Sequence, residues 1–405
     1  MRLPGPSEAF ALFDDARARN PAPSRLYRDP IAIIAAHRQE EVQPALDRIA
    51  EATEAGLHAA GYMSYEAGLA LEDRLRPLAA RHAGRTPAMP LLWFGLFEGH
   101  RLIDPAAMPG LLAHPERVTI RPPEPLVDEA AYRAAFDRVQ DFIKAGDIYQ
   151  VNLTFPNSVR FTGDLLALYG AIRPRQRAGY GGVIRTDVHN ILSFSPELFF
   201  TSVRGQMTTR PMKGTAPRSA DPARDAEIAR ELEQDVKQRA ENLMIVDLLR
   251  NDLSRVSRAG SVTVPDLFHV ETYPTVHQMV STVRARLLPG LGPVDILRVL
   301  FPCGSVTGAP KIRAMEIIDA VEAFPRDIYT GTMGWIDPNG DAAFNVAIRT
   351  IWVEEGRQEG RLGLGSAIVA DSDAASEWAE CLAKGRFLTA DGMGQGGLNS
   401  FDVIG

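Results

Sequence analysis

Strand-like runs separated by short turns dominate the last third of the chain, and such a pattern buries its apolar side chains only by folding into a large antiparallel sheet. Gly331–Ile336, Ala342–Val353 and Arg361–Val369 read as strands joined by Pro338-Asn339-Gly340 and by Glu355–Gly360. Glu197–Val203 and Met207–Met212 read as a further hairpin around the three residues Arg204-Gly205-Gln206, where glycine supplies positive φ. Leu91–Phe97 is another strand candidate. Helices are set apart from these runs, over Val42–Ala55, Asp128–Ala145, Pro222–Leu253, Pro310–Ala323 and Ala374–Phe387. Meanders with segregated helices predict an α+β chain with large antiparallel sheets.

Residues 1–20 read as loosely ordered. The breaker-rich run Arg121-Pro122-Pro123-Glu124-Pro125 predicts a linker, dividing an N-terminal α/β region over 1–120 from a main domain over 125–390. Four glycines between Gly392 and Gly397 predict a flexible tail over 391–405. With 405 residues, 45% of them hydrophobic, the chain can bury a large core. Its net charge of −7 gives no sign of a nucleic-acid partner. Only Cys303 and Cys381 are present, the first residues lack a signal-peptide pattern, and apolar stretches such as Ile31–Ala36 are too short to span a bilayer. These features predict a cytoplasmic protein with no disulfide framework.

Several residue groups could carry chemistry. On the Ala374–Phe387 helix, Glu377, Glu380 and Lys384 share one stripe, while Trp378, Cys381 and Leu382 form the apolar side. Two carboxylates one turn apart suit a hard cation, although a solvated Glu–Lys face has the same spacing. Glu241 is a further acidic candidate. Lys213 sits at the end of a strand before Gly214, where an amine can serve as a nucleophile or simply stand in a turn. Gly304–Lys311 reads as a glycine-containing helix start that favours an anion, with Pro310 at the first helical position and Lys311 adding charge, but it lacks the Walker spacing. Arg349 reads as mid-strand, opposite Phe344, Val346 and Ile348, and needs an anionic partner if buried.

Taken together, these segments resemble the chorismate-utilising enzymes, and within them the branch that aminates chorismate at C4, the aminodeoxychorismate synthase component I type. The resemblance runs through Gly146–Leu153, Ser195–Glu197, Pro211–Thr215, Ala240–Leu248, Arg250–Leu253, Val276–Ser281, Thr307–Lys311, Tyr329–Gly331 and the Glu377/Glu380/Lys384 helix. It covers roughly residues 125–390, with weaker likeness through Gly61–Gly68 and Trp93–Gly95. It implies two large antiparallel sheets packed face to face and flanked by helices, with chorismate in a cleft. By the same resemblance Glu241 and Glu380 hold Mg²⁺ with Glu377 close by, and Tyr329, Arg349, Gly365 and Lys384 surround the substrate carboxylates. His277, Thr307 and Gly308 lie around the ring, and Glu197 is the acid that assists departure of the C4 hydroxyl.

Two positions choose the branch. Water-adding relatives carry a lysine base where this chain has Gln150, so the implied nucleophile is ammonia. Anthranilate synthases carry a small residue where this chain has Lys213. In the C4 branch that lysine attacks C2 of chorismate, and ammonia then enters at C4, on the route to 4-aminobenzoate and folate. Neither cysteine sits at a nucleophile elbow, so glutamine-dependent activity implies a separate glutamine amidotransferase subunit. The competing expectations are anthranilate synthase component I, a 2-amino-2-deoxyisochorismate synthase, and an inactive metabolite-binding homologue. The chain departs from the pattern at Gln238, acidic in many relatives, and in the glycine-poorer Gly363–Ala367. It also has a shorter N-terminal region and lacks the Leu-Leu-Glu-Ser segment tied to tryptophan inhibition.

Overall fold

The computed structural model describes residues 3–5, 8–81, 88–112, 114–273 and 276–389; the tail expected to be flexible, 391–405, lies outside them. Two antiparallel sheets, of eleven and ten strands among the described residues, form the body of the chain. The first runs in the order Gly308–Ala309, Gln150–Thr162, Glu359–Ile368, Thr350–Glu354, His189–Ser193, Gly181–Arg185, Phe10–Asp14, Ser24–Arg28, Arg101–Ile103. Thr119–Ile120 and Glu124–Pro125 also pair with its long strand. The second runs Met212–Pro217, Val276–Arg286, Gln206–Arg210, Leu198–Val203, Ala342–Asn345, Thr332–Ile336, His58–Met63, Leu92–Phe97, Ala32–Ala36, with Thr263–Thr272 also on Val276–Arg286.

Strand alternation builds three apolar layers. On the first sheet Phe10 and Leu12 point outward and join Leu168, Tyr169 and Ile172 of the Leu165–Gln176 helix. Ala11, between them, points inward and meets Ala60, Tyr62 and Met333 of the second sheet. The second sheet's outer face packs Ala59 and Met63 with Val42, Leu46 and Ile49 of the Gln39–Glu54 helix, and Phe199 with Ile245 and Leu249 of Val236–Ser254. The order is helix, sheet, sheet, helix, the face-to-face α+β arrangement that the sequence resemblance implied.

Four local expectations change. Phe10–Asp14 is an ordered inner strand, with Phe10, Ala11 and Leu12 fully buried; five residues were too few to reveal a period. Strands preceding residue 120 take places in both sheets, and Glu124–Pro125 of the expected linker pairs with Ser158 and Asn157, so the boundary at 121–125 divides neither sheet. The helix expected over Pro222–Leu253 breaks at Asp235, which closes Pro222–Gln234 and caps Val236–Ser254 by accepting from the Gln238 N–H. The hairpin at 204–206 is a two-residue turn, with Arg204 and Gly205 at φ 50° and 72° and Val203 paired with Gln206.

No helix among the described residues is long and apolar enough to cross a membrane. Cys303 and Cys381 are buried free thiols.

Just past the strand His58–Met63 the half-buried Glu66 stands near the buried Asp327. Glu66 accepts from the Arg326 N–H at 2.7 Å, and its other oxygen has no partner. Burial and the neighbouring Asp327 push the Glu66 carboxyl up to about 8, and burial pushes Asp327 up to about 7. Both stand above the unfolded values near 4, so the folded chain binds more protons and stability falls as pH rises from about 4 toward 8. Glu66→Gln should flatten that decline, with urea unfolding at pH 5.5 and 8.5 showing a smaller difference than in the unaltered chain. An unchanged difference would remove Glu66 as its source.

Candidate active site

A two-stranded ribbon passes from one sheet into the other. His189–Ser193 and Thr350–Glu354 pair in the first sheet, while Leu198–Val203 and Ala342–Asn345 pair in the second. Ala342–Val353 is therefore not one strand, and Arg349 is not mid-strand. It lies in the crossing, at φ 49°, a left-handed value that an arginine adopts only under local constraint. The two crossings hold each other. Phe194 N–H donates to Arg349 O at 3.0 Å, Val346 N–H to Glu197 O at 3.1 Å, and Ser195 Oγ to Val346 O at 2.6 Å. Thr330 N–H donates to Ala347 O at 3.0 Å, which brings the Tyr329 turn to the same seam.

Glu197 projects from this seam and is only 4% exposed. Burial pushes its pKa up to about 7, against the Ser305 hydroxyl and the Met212 backbone, whose hydrogen bonds favour the anion. The Ser305 Oγ to Glu197 Oε1 distance is 2.8 Å. Such a carboxyl is protonated in a large fraction of molecules at neutral pH and can donate to a leaving oxygen.

Lys213 follows Met212 on Met212–Pro217, whose register slips against Val276–Arg286 between Met212 and Thr215. The extra residue is a bulge, with Gly214 at φ 103°, and bulges re-aim side chains. Asn242 accepts from Ser281 Oγ at 2.6 Å and donates to Lys213 O at 3.0 Å, while Gln278 Nε2 donates to Gly214 O at 2.8 Å. The Lys213 amine then meets Glu241 Oε2 at 3.2 Å, with both side chains about one-fifth exposed.

The Ala374–Gly385 helix lies opposite. Burial would raise Glu380, but Lys384 and then Lys213 outweigh it and hold the carboxyl below its usual range. Lys384 Nζ sits 2.7 Å from Glu380 Oε1 and donates to Gly365 O at 2.9 Å. Glu377 accepts from Ser372 Oγ at 2.7 Å. Lys237 is within electrostatic reach of Asp371, Glu241 and Glu377. Three carboxylates from two helices thus gather around Lys213 and Lys237. This all-oxygen donor set suits Mg²⁺, which takes a few carboxylates and completes its shell with water or substrate. Their oxygens do not close within 4.8 Å of one another, and each is held by its own partner.

Arg349 donates to Gln176 Oε1, no carboxylate enters its surroundings among the described residues, and burial lowers its pKa from the ordinary arginine value. Tyr329 is buried. Gln150 is fully buried, and both its amide atoms lack a partner among the described residues, a state that costs about 1–3 kcal/mol per group left unpaired. Thr307 is buried with its hydroxyl on Cys303 O at 3.2 Å. Gly308, at φ 152°, lies so close to the Gln150–Val151 backbone that a Cβ would come within 2.3 Å of Gln150 O.

His277 is hydrogen-bonded to Asp225 Oδ1 at 2.9 Å and to Thr272 Oγ1 at 3.1 Å, and its neighbour Gln278 holds the Lys213 turn through Gly214 O. Two expectations fail. Lys311 adds no charge at the 304–310 turn, because its Nζ is buried against Asp252 Oδ2 at 2.8 Å and Leu300 O at 3.1 Å. Pro310 is the cap of Lys311–Val321 rather than its first residue. Sequence reasoning also gave no role to Ser305, Asn242 or Gln278. Their only signal was adjacency to Glu241, Lys213 and the glycine-containing turn.

Comparison with known proteins adds the following. A family model described as chorismate binding enzyme matches residues 8–390. Aminodeoxychorismate synthase component 1 of Klebsiella aerogenes is 44% identical over 253 residues, 62% of this chain but only 56% of that protein. Anthranilate synthase component 1 of Methanothermobacter thermautotrophicus is 40% identical over 256 residues, 63% of this chain and 55% of that one. This chain therefore matches little more than half the length of these relatives. The solved anthranilate synthase component I from Streptococcus pneumoniae TIGR4 superposes with a TM-score of 0.77 at 25% identity, covering 92% of this chain and 93% of that one.

Ser305 stabilises the Glu197 anion, so Ser305→Ala should move the carboxyl's titration upward from about 7. Isotope-edited infrared spectroscopy of the carboxyl stretch across pH 5–9 reads this directly. A downward move would show that the serine does not act on Glu197.

Proposed function

Because the chain belongs to the chorismate binding enzyme family, matched over residues 8–390, we propose that it aminates chorismate at C4 to 4-amino-4-deoxychorismate. The observation that carries this reading is the Lys213 amine, aimed by a bulge into a cleft against Glu241 and within electrostatic reach of Glu380.

In the reaction, Arg349 and Lys384 receive the carboxylates of chorismate, and Tyr329 and the Gly365 carbonyl border them. The Lys213 nitrogen bonds to C2 as both ring double bonds shift, C1=C2 to C1=C6 and C5=C6 to C4=C5, and the C4–O bond breaks. Glu197 gives its proton to the departing hydroxyl, which leaves as water. Ammonia then bonds to C4, both double bonds shift back, and the C2–N bond to Lys213 breaks, which frees the amine, while the proton lost by the incoming nitrogen returns to Glu197. Gln150, buried with both amide atoms unpaired, offers hydrogen bonds beside the Thr307–Gly308 turn. Glu241 and Glu380, with Glu377, would hold Mg²⁺, which when bound would supply charge neutralisation for a substrate carboxylate. Ammonia comes from glutamine through a separate amidotransferase subunit, and the enzyme works in the cytoplasm.

A second reading, amination at C2 as in an anthranilate synthase, has support from the 40% identical relative. Lys213 favours C4. The test is the product formed from chorismate, Mg²⁺ and ammonium, identified by mass spectrometry and NMR. We expect 4-amino-4-deoxychorismate, and a C2-aminated product would overturn the proposal. Lys213→Ala should lower turnover on the order of a thousandfold or more while chorismate still binds by calorimetry. Turnover at the original rate would exclude the covalent route.

A further inference from the structure

Away from the cleft, at one end of the layer between the sheets, three metal-ligating side chains converge. His58 opens the strand His58–Met63, and Asp337 follows Thr332–Ile336, its antiparallel neighbour. His100 stands in the turn by which the chain leaves Leu92–Phe97 in the second sheet and enters Arg101–Ile103 in the first. One ligand atom from each lies within 4.8 Å of the others. His58 Nδ1 is 2.8 Å from Asp337 Oδ1, and the two imidazole rings are 5.3 Å apart. His100 Nδ1 is buried and has no hydrogen-bond partner among the described residues.

We propose that His58, His100 and Asp337 bind a divalent transition-metal ion of the zinc class, which fastens the crossing turn at His100 to the adjoining strand ends. Two imidazoles and a carboxylate are the donor set such ions take, with a fourth position left to water. Bonds of about 2.0–2.2 Å in a tetrahedron need donors roughly 3.4 Å apart. The observed spread, from 2.8 Å to at most 4.8 Å, brackets that value, so small side-chain shifts suffice. The side chains of His58 and Asp337 are 18% and 11% exposed, which leaves the ion a way in.

Burial, and then Arg25, hold His100 below the ordinary histidine value. Arg25 is the charge that opposes a cation here. Its Nη1 donates to both Asp337 oxygens, at 3.0 and 2.8 Å, while its guanidinium lies 3.5 Å from the Trp335 ring centre. The Tyr27 hydroxyl also donates to Asp337 Oδ1, at 3.5 Å, so of the carboxylate's roughly four lone-pair sites an ion would take the one that now faces His58 Nδ1. The site is independent of the proposed reaction.

Zn²⁺ competition against a chromophoric chelator on the full chain tests this, with Co²⁺ absorption reporting the geometry. We expect one ion per chain that persists in Glu380→Gln, a tetrahedral Co²⁺ spectrum, and an affinity about tenfold or more weaker in His100→Ala. Equal affinity and spectrum in His100→Ala and the unaltered chain would overturn the site. Should His100→Ala not fold, diethylpyrocarbonate labelling of the unaltered chain decides: Zn²⁺ should protect His58 and His100 by mass spectrometry, and undiminished labelling of both rejects the proposal.

Discussion

The candidate site depends on two chain crossings that lie side by side and hydrogen-bond to each other. Where the paired ribbon leaves one sheet for the other, its strands can no longer alternate their side chains between two apolar layers. Glu197 and Arg349 occupy this break, locked through Ser195, Val346 and Phe194. The Tyr329–Thr330 turn bonds to the same segment through Ala347. Polar groups that would be expensive inside either sheet are tolerated at the seam, because the backbone there already departs from the ladder. Arg349 carries that departure in its own φ of 49°, a cost of order 1–3 kcal/mol that the two flanking strand pairings must outweigh.

The seam also separates what the sequence could reveal from what it could not. The alternating runs and their turns were enough for large antiparallel sheets, with their number and face-to-face packing implied by the family resemblance, and the stripe of Glu377, Glu380 and Lys384 was readable because helical spacing is rigid. A strand that changes sheets keeps its apolar pattern on both sides of the change. Ala342–Val353 therefore looked continuous, and Arg349 received a mid-strand place. Asp235 could not be recognised as a cap within Pro222–Leu253, because an aspartate on an exposed helix face looks the same in sequence. The aim of Lys213 rests on a register slip opposite Val276–Arg286, a property of two strands together.

Charge arrangement follows the same logic. A chain with net charge −7 needs a local excess of cations to take up an acidic substrate. Lys213 faces Glu241, and Lys384 faces Glu380, so these two cations are held ready in pairs. Arg349 differs, meeting only the Gln176 amide oxygen. The half-exposed Lys384–Glu380 pair is of the weak, exchangeable kind, worth on the order of 1 kcal/mol or less, and the more sheltered Lys213–Glu241 contact is longer, at 3.2 Å. A substrate carboxylate or a divalent ion can therefore rearrange them without large loss, whereas the fully buried Lys311–Asp252 pair is placed to hold structure.

Glu197 shows why such a site must sit at the junction of sheets rather than on an outer face. A carboxyl that is to give a proton near neutrality must be largely protonated there, and only burial with few stabilising donors brings this about. At the seam, Glu197 has the Ser305 hydroxyl and the Met212 backbone and no cation, so its pKa settles at about 7. Glu380, on the open helix across the cleft, has Lys384 and Lys213 nearby and is held below its usual range. The same residue type is thus kept as an acid in one wall and as an anion in the other. What divides them is whether a lysine can reach the carboxylate, and the bulge at Gly214 decides that by turning Lys213 toward Glu241 and Glu380.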